Sequence, residues 1–162
     1  SMSMTKILFV GHWNVCRSPM AEYVMKDLVK KAGLESQFYI ASSATSPEKL
    51  GNPIYPLAQQ ELDEHGINCD GHLARQLQNS DYEKYDLLIG MDNTDIHNMF
   101  LICGGDFADK IRLLMDFTDH RGQEVANPRY TDDFEIIWRD VLDGCRSLFQ
   151  KIIIKDVGVR TD

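Results

Sequence analysis

The chain has 162 residues, 43% of them hydrophobic and 26% charged, and a formal net charge of −8 at pH 7. That length suits one domain whose core needs no disulfide or metal staples, and an acidic balance without any cluster of Lys and Arg excludes nonspecific nucleic-acid binding. No apolar run approaches the ~20 residues that cross a bilayer, which excludes a membrane protein.

The four Cys, at 16, 69, 103 and 145, show no metal-site spacing, and no signal peptide precedes them. A reducing cytoplasm is therefore the expected compartment, with no metal and no cofactor. Residues 1–3, ahead of Met4, read as an expression scar, 4–154 as the domain and 155–162 as a tail.

Ile7, Leu8, Phe9 and Val10 make a nearly continuous apolar run, as a parallel strand covered on both faces does. A loop over 11–17 follows, then a helical pattern from Pro19 to Ala32 carried by Met20, Val24, Leu28 and Val29 and closed by Gly33. Ser18 suits the N-cap and Pro19 the first helical position. A loop joining a strand to a helix N-terminus aims backbone N–H groups at one point, where a phosphate dianion is held without a metal. Arg17 adds a bidentate fork.

Phe38 to Ala44 reads as a second strand, followed by a loop through Pro47, Gly51 and Pro53 and a short helix from Pro56 to near Gly66. Gly71 to Gln76 reads as a loop and Ser80 to Tyr85 as a short helix. Asp86 to Met91 is a third, buried strand. Asp92-Asn93-Thr94 turns into a helix ending near Gly104-Gly105, and Ile111 to Met115 gives a fourth strand. After a loop over 116–129, a long helix begins near Asp132, with Glu135 three residues on as in a capping box. Its Phe134, Ile137, Trp138, Val141, Leu142, Cys145, Leu148, Phe149 and Ile152 form the core-facing stripe. Alternating strands and helices predict an α/β fold: one doubly wound domain, a four-stranded parallel sheet with helices on both faces, and a ligand at the carboxyl ends of the strands, where residues 11–17 lie.

Residues 6–22, KILFVGHWNVCRSPMAE, resemble the signature of the low-molecular-weight protein tyrosine phosphatases, where a strand much like ILFV leads into Cys, five residues, Arg, Ser and Pro. Asn14, Cys16, Arg17, Ser18, Pro19, Met20, Ala21 and Glu22 fit that pattern, and Val15 is a conservative form of its usual Ile. The segments Ser42 to Thr45, Gly71 to Gln76, Asp92 and Val125 to Tyr130 are similar too. The likeness covers about Lys6 to Ile153 and implies the family's domain and strand order.

In that family a cysteine thiolate attacks phosphorus, the loop amides and the Arg hold the equatorial oxygens, and an Asp before Pro protonates the leaving phenolate. The resemblance implies phosphate binding by His12, Trp13, Asn14, Val15, Cys16, Arg17 and Ser18, with Arg17 and Ser18 in catalytic roles. It implies bracing of the loop by Asn14, Ser42, His72 and Asp92, and a pocket wall of Trp13, Arg129 and Tyr130. Two departures touch the chemistry, because Gly11 stands at the nucleophile and Asn127 at the acid. Trp13 replaces a glycine and belongs at the pocket mouth, and Arg129 replaces an aromatic.

The expectation is a phosphatase scaffold that is dead or severely impaired, with a phosphate or phosphotyrosine-like anion, or a phosphoprotein carrying one, as partner. A natural pseudophosphatase used for binding and an altered variant, its pocket turned to another ligand through Trp13 and a void at Gly11, both stay open. Arsenate reductases need the missing Cys and a redox pair, and the phosphoarginine branch carries Thr where Val15 stands. Taken alone, His72 reads as a surface or structural histidine. Cys16 reads as structural or redox-vestigial, and Cys69, Cys103 and Cys145 as buried small hydrophobes.

Overall fold

In a computed structural model, which describes residues 4–154, strand β1 (Thr5–Gly11) lies inside a parallel sheet. The scar and the tail expected at 1–3 and 155–162 lie outside the described residues. β1 is followed by α1 (Arg17–Lys31), β2 (Phe38–Ala44), α2 (Pro56–Glu64), α3 (Asp81–Lys84), β3 (Leu87–Gly90), α4 (Asn93–Cys103), β4 (Ile111–Leu113) and α5 (Phe134–Ile153). Single 3₁₀ turns occupy Glu35–Gln37 and Leu114–Phe117. The strands run in the order β2-β1-β3-β4, every pairing parallel, with Phe9 opposite both Ser42 and Ile89.

Period-two alternation along β1 explains why both sheet faces are covered. Ile7 and Phe9 face the larger core, with Met20, Val24 and Met25 of α1 and Ile137, Val141 and Leu148 of α5. Leu8 and Val10 face the other, with Leu88, Tyr82, Tyr85 and Met99 from the side of α3 and α4. Among the described residues, no helix is long and apolar enough to cross a membrane.

Several boundaries differ from the expectation, each for a local reason. α1 begins at Arg17, so Cys16 is its N-cap without any side-chain capping bond, and Pro19 sits third, still among positions whose N–H has no helical partner. Ser18 does not cap, because its hydroxyl accepts from Asn14 Nδ2 at 3.0 Å. β4 stops at Leu113 rather than 115, and the 3₁₀ turn lays Leu114 on Gly144 of α5, where a Cβ would come within 2.5 Å of Leu114 Cγ. α5 is capped by Asp133, not Asp132: Asp133 Oδ1 accepts from the N–H groups of Glu135 at 3.1 Å and Ile136 at 3.3 Å. Glu135 then pairs with Arg139 instead of closing a capping box. The box forms on α4, between Asp92 and Asp95. The stripe of α5 is buried as expected at Phe134, Ile137, Trp138, Val141, Cys145, Leu148 and Ile152, with Leu142 and Phe149 packed at its edge.

Candidate functional site

The loop leaves β1 at its carboxyl end with five of the six carbonyls over 11–16 accepting hydrogen bonds. Gly11 O accepts from Thr45 N and His12 O from Ser46 N, both at 2.9 Å, Val15 O from Tyr55 N at 2.8 Å and Cys16 O from Met20 N at 3.1 Å. Asn14 O accepts from His72 Nε2 at 2.9 Å, and a carbonyl cannot donate, so that ring nitrogen carries the hydrogen. Among the described residues, the N–H groups of 12–16 meet no protein acceptor. Bonded carbonyls and unpartnered amides leading into a helix N-terminus are the polarity of an anion cradle.

Asn14 makes the bend at φ +60°, a left-handed conformation that Asn tolerates better than most side chains. Two further bonds hold it there: Nδ2 donates to Ser18 Oγ at 3.0 Å, and Oδ1 accepts from Arg75 N at 3.2 Å. Of the four residues expected as braces, Asn14 and His72 therefore meet directly. Ser42 does not reach Asn14. Its hydroxyl donates to Glu22 Oε1 at 2.5 Å, while Glu22 Oε2 takes Lys26 Nζ at 2.5 Å and Glu22 Oε1 stands 3.9 Å from His72 Nδ1. Glu22 is thus the partner of Ser42 that sequence reasoning missed. Its signal was present, since Ser18, Glu22 and Lys26 follow at four-residue spacing on one face of α1.

Arg17, buried with 8% of its side chain exposed, donates from Nη2 to Asp92 Oδ2 at 2.7 Å and from Nη1 to Val125 O at 3.0 Å. These contacts fix its guanidinium at the loop. Asp92 also accepts from Asp95 N at 2.8 Å, so one carboxylate caps α4 and anchors Arg17. Burial acts to raise the Asp92 pKa, but the hydrogen bonds from Arg17 and the Asp95 amide outweigh it and hold the group below the ordinary carboxylate range. Burial, and then the neighbouring Asp92 charge, push Asp95 the other way, up to about 7.

Gly11 is buried, and no methyl-sized void lies beside it. A Cβ there would stand 2.9 Å from Ser18 Oγ and 3.2 Å from Ser18 Cβ. This corrects the expectation of empty space at position 11. Cys16, partly buried against the core, has its pKa pushed up to about 11 by burial, which outweighs the opposing pull of Arg17. At neutral pH it is a thiol, not a thiolate. Cys69 and Cys145 are buried, the latter with Sγ 3.6 Å from Ala21 O, whereas Cys103 is only partly so.

The mouth is built differently. The half-buried Trp13 ring has Lys49 Nζ at 5.8 Å, the Arg129 guanidinium at 6.0 Å and the His12 ring at 5.0 Å from its centroid. Trp13 Nε1 and His12 Nδ1 are buried and find no partner. Asn127 Oδ1 accepts from Arg129 N at 2.9 Å, and Asn127 O accepts from Tyr130 N at 2.9 Å, which folds residues 127–130 into a turn. Trp13 and Arg129 therefore meet at the mouth, while Tyr130 stays 81% exposed. Lys49 had not been singled out. Nothing local marks it, because its place follows from how the loop after β2 folds over residue 13.

Comparison with known proteins agrees along the chain. A family model described as low molecular weight phosphotyrosine protein phosphatase matches residues 6–157. The low molecular weight protein-tyrosine-phosphatase YfkJ of Bacillus subtilis is 35% identical over 150 residues, which cover 92% of this chain and 96% of that one. The low molecular weight phosphotyrosine protein phosphatase of Gallus gallus is 31% identical over 149 residues, covering 90% and 94%. The crystal structure of YfkJ superposes with a TM-score of 0.89 over 94% of this chain and 97% of that one. The protein tyrosine phosphatase of Entamoeba histolytica, solved with Hepes in the active site, does so at 0.87 with 26% identity over 94% and 99%.

Proposed function

The chain belongs to the low molecular weight phosphotyrosine protein phosphatase family, and from that premise we propose that it keeps the family's phosphate site and lacks the family's covalent chemistry. The observation that carries this reading is the loop itself. Its amides over 12–16 are unpartnered and Arg17 is fixed beside them, yet its first residue, Gly11, bears no side chain to attack phosphorus. Cys16 offers no substitute, since its thiol stays protonated at neutral pH. Asn127, at the acid position, has no proton to give a leaving group at neutral pH. The ligand class is a phosphate or phosphotyrosine-like anion, free or on a phosphoprotein. A pocket turned to an unrelated ligand fits less well, because Ser18 already fills the space beside Gly11.

Removing the thiolate also removes a negative charge that would face the bound phosphate, which favours ground-state binding as catalysis disappears. The test is hydrolysis of para-nitrophenyl phosphate. The unmodified chain gives no turnover above buffer. Gly11→Cys gives slow turnover once the Ser18 hydroxyl rotates out of the 2.9 Å contact, and adding Asn127→Asp raises the rate by about 10²–10⁴-fold. A burst from the unmodified chain, with phosphate trapped on Cys16, contradicts the proposal. If the double variant is inert with its loop folded, Trp13→Gly identifies the ring as the obstruction. Codons 11 and 127 in the source genome separate a natural pseudophosphatase from an altered sequence.

A further inference from the structure

We propose that the ligand of this site carries two adjacent anionic groups, a diphosphate rather than a single phosphate: one group seated in the loop, the second held at the mouth by Lys49 and Arg129 across Trp13. The inference rests on the reading of the loop as an anion site and adds a substrate class to it. Three observations carry it.

The first is charge. Lys49 and Arg129 reach the same indole ring from segments eighty residues apart in the chain, with Lys49 Nζ at 5.8 Å and the Arg129 guanidinium at 6.0 Å. Among the described residues neither forms an ion pair, although Glu48 adjoins Lys49 in sequence. Two cations without ion-pair partners, each within 6.0 Å of the same indole centroid in a chain with net charge −8, raise the local concentration of anions. Arg17 differs, being matched by Asp92. The mouth therefore holds the positive charge that has no counterpart.

The second is an orphaned donor. Trp13 Nε1 is buried without an acceptor, and an indole nitrogen can only donate. A buried donor left in this state costs free energy that an acceptor oxygen restores. The third is shape. Trp13 stands where the family signature has glycine, and its half-buried indole adds a bulky side chain to the loop beside both cations. A compact diphosphate brings acceptor oxygens on both of its groups and needs no room for a ring.

Titration calorimetry with inorganic pyrophosphate and with orthophosphate tests this on the full chain. The ratio of the two affinities is the readout. Pyrophosphate is expected to bind at least about tenfold tighter, with the advantage shrinking as ionic strength rises. Lys49→Ala and Arg129→Ala each lower the ratio about threefold or more, and together they bring it near one. Trp13→Phe keeps the ring beneath the cations, removes the N–H and lowers the ratio by less. A ratio near one in the unmodified chain overturns the proposal while leaving orthophosphate binding, and with it the phosphate site, intact. A ratio untouched by all three substitutions overturns it too. If removing the two cations tightens orthophosphate, they serve to hold Trp13 down as a cover, and the proposal falls. Failure of the unmodified chain to bind either anion refutes the underlying reading instead.

Discussion

The inner side of the loop is held by buried, paired groups, and its outer side by half-exposed, unpaired ones. Behind it, Asn14, Ser18 and His72 form one hydrogen-bonded set, Glu22 and Ser42 a second, and Arg17 and Asp92 a third, with every member bonded inside the protein. In front of it, His12 and Trp13 carry buried nitrogens without partners, Lys49 and Arg129 lie over an aromatic face, and Tyr130 stands in solvent. The inner set shapes the loop without any ligand. The outer set has polar groups to spare, and these are what a ligand completes.

The comparison breaks most readily at Asn14. Replacing it with Ala removes one buried and one partly buried hydrogen bond and puts a less tolerant residue at φ +60°, a loss of about 3 kcal/mol. Urea denaturation reads it, and a change below about 1 kcal/mol means that the brace does not hold the bend.

Next comes the pH dependence of the inner side. The folded pKa of Asp95 is raised from 3.8 to about 7. A carboxyl that keeps its proton longer in the folded state stabilises it at low pH, and this contribution declines as pH climbs from about 4 to about 7. Asp92 has the opposite sign, being held down, so its contribution is present above the ordinary range and fades only in more acidic solution. Asp95→Asn should therefore flatten the fall in urea midpoint between pH 4.5 and 7.5. An undiminished slope shows that Asp95 is not its source.

Much of the architecture was legible because it rests on local pattern. Four apolar runs marked the strands, and the 3.6-residue stripe of α5 named its buried face, since burial on a sheet or a helix imposes those periods. Caps were harder. Ser18 looks like a cap until its hydroxyl is needed inside the loop, and Asp132 and Asp133 differ only in which one the preceding turn delivers to the helix. At the site, Asn14 and His72 were legible through the family motif alone, and Arg17 through the strand-loop-helix pattern as well. The Val125 carbonyl on Arg17, the Arg75 amide on Asn14 and Lys49 over Trp13 arise from contacts between distant segments, and no spacing within either segment encodes them.

Two smaller effects sharpen the contrast. Glu22→Gln keeps an acceptor for Ser42 but loses the charge that serves Lys26, and costs about 1 kcal/mol in the same denaturation assay. Tyr130→Ala, on the outer side and 81% exposed, changes stability by less than about 0.5 kcal/mol. A larger loss there places Tyr130 in the supporting structure and erases the distinction drawn between the two sides.

The central claim is a surviving phosphate site without turnover, and orthophosphate titration of the unmodified chain tests it most directly. The comparison variant is Arg17→Ala in an Asp92→Asn background, which leaves no carboxylate buried without its partner. The unmodified chain should bind saturably, with affinity falling at least about tenfold when the guanidinium is removed. Absence of binding, or an affinity indifferent to Arg17, contradicts the account.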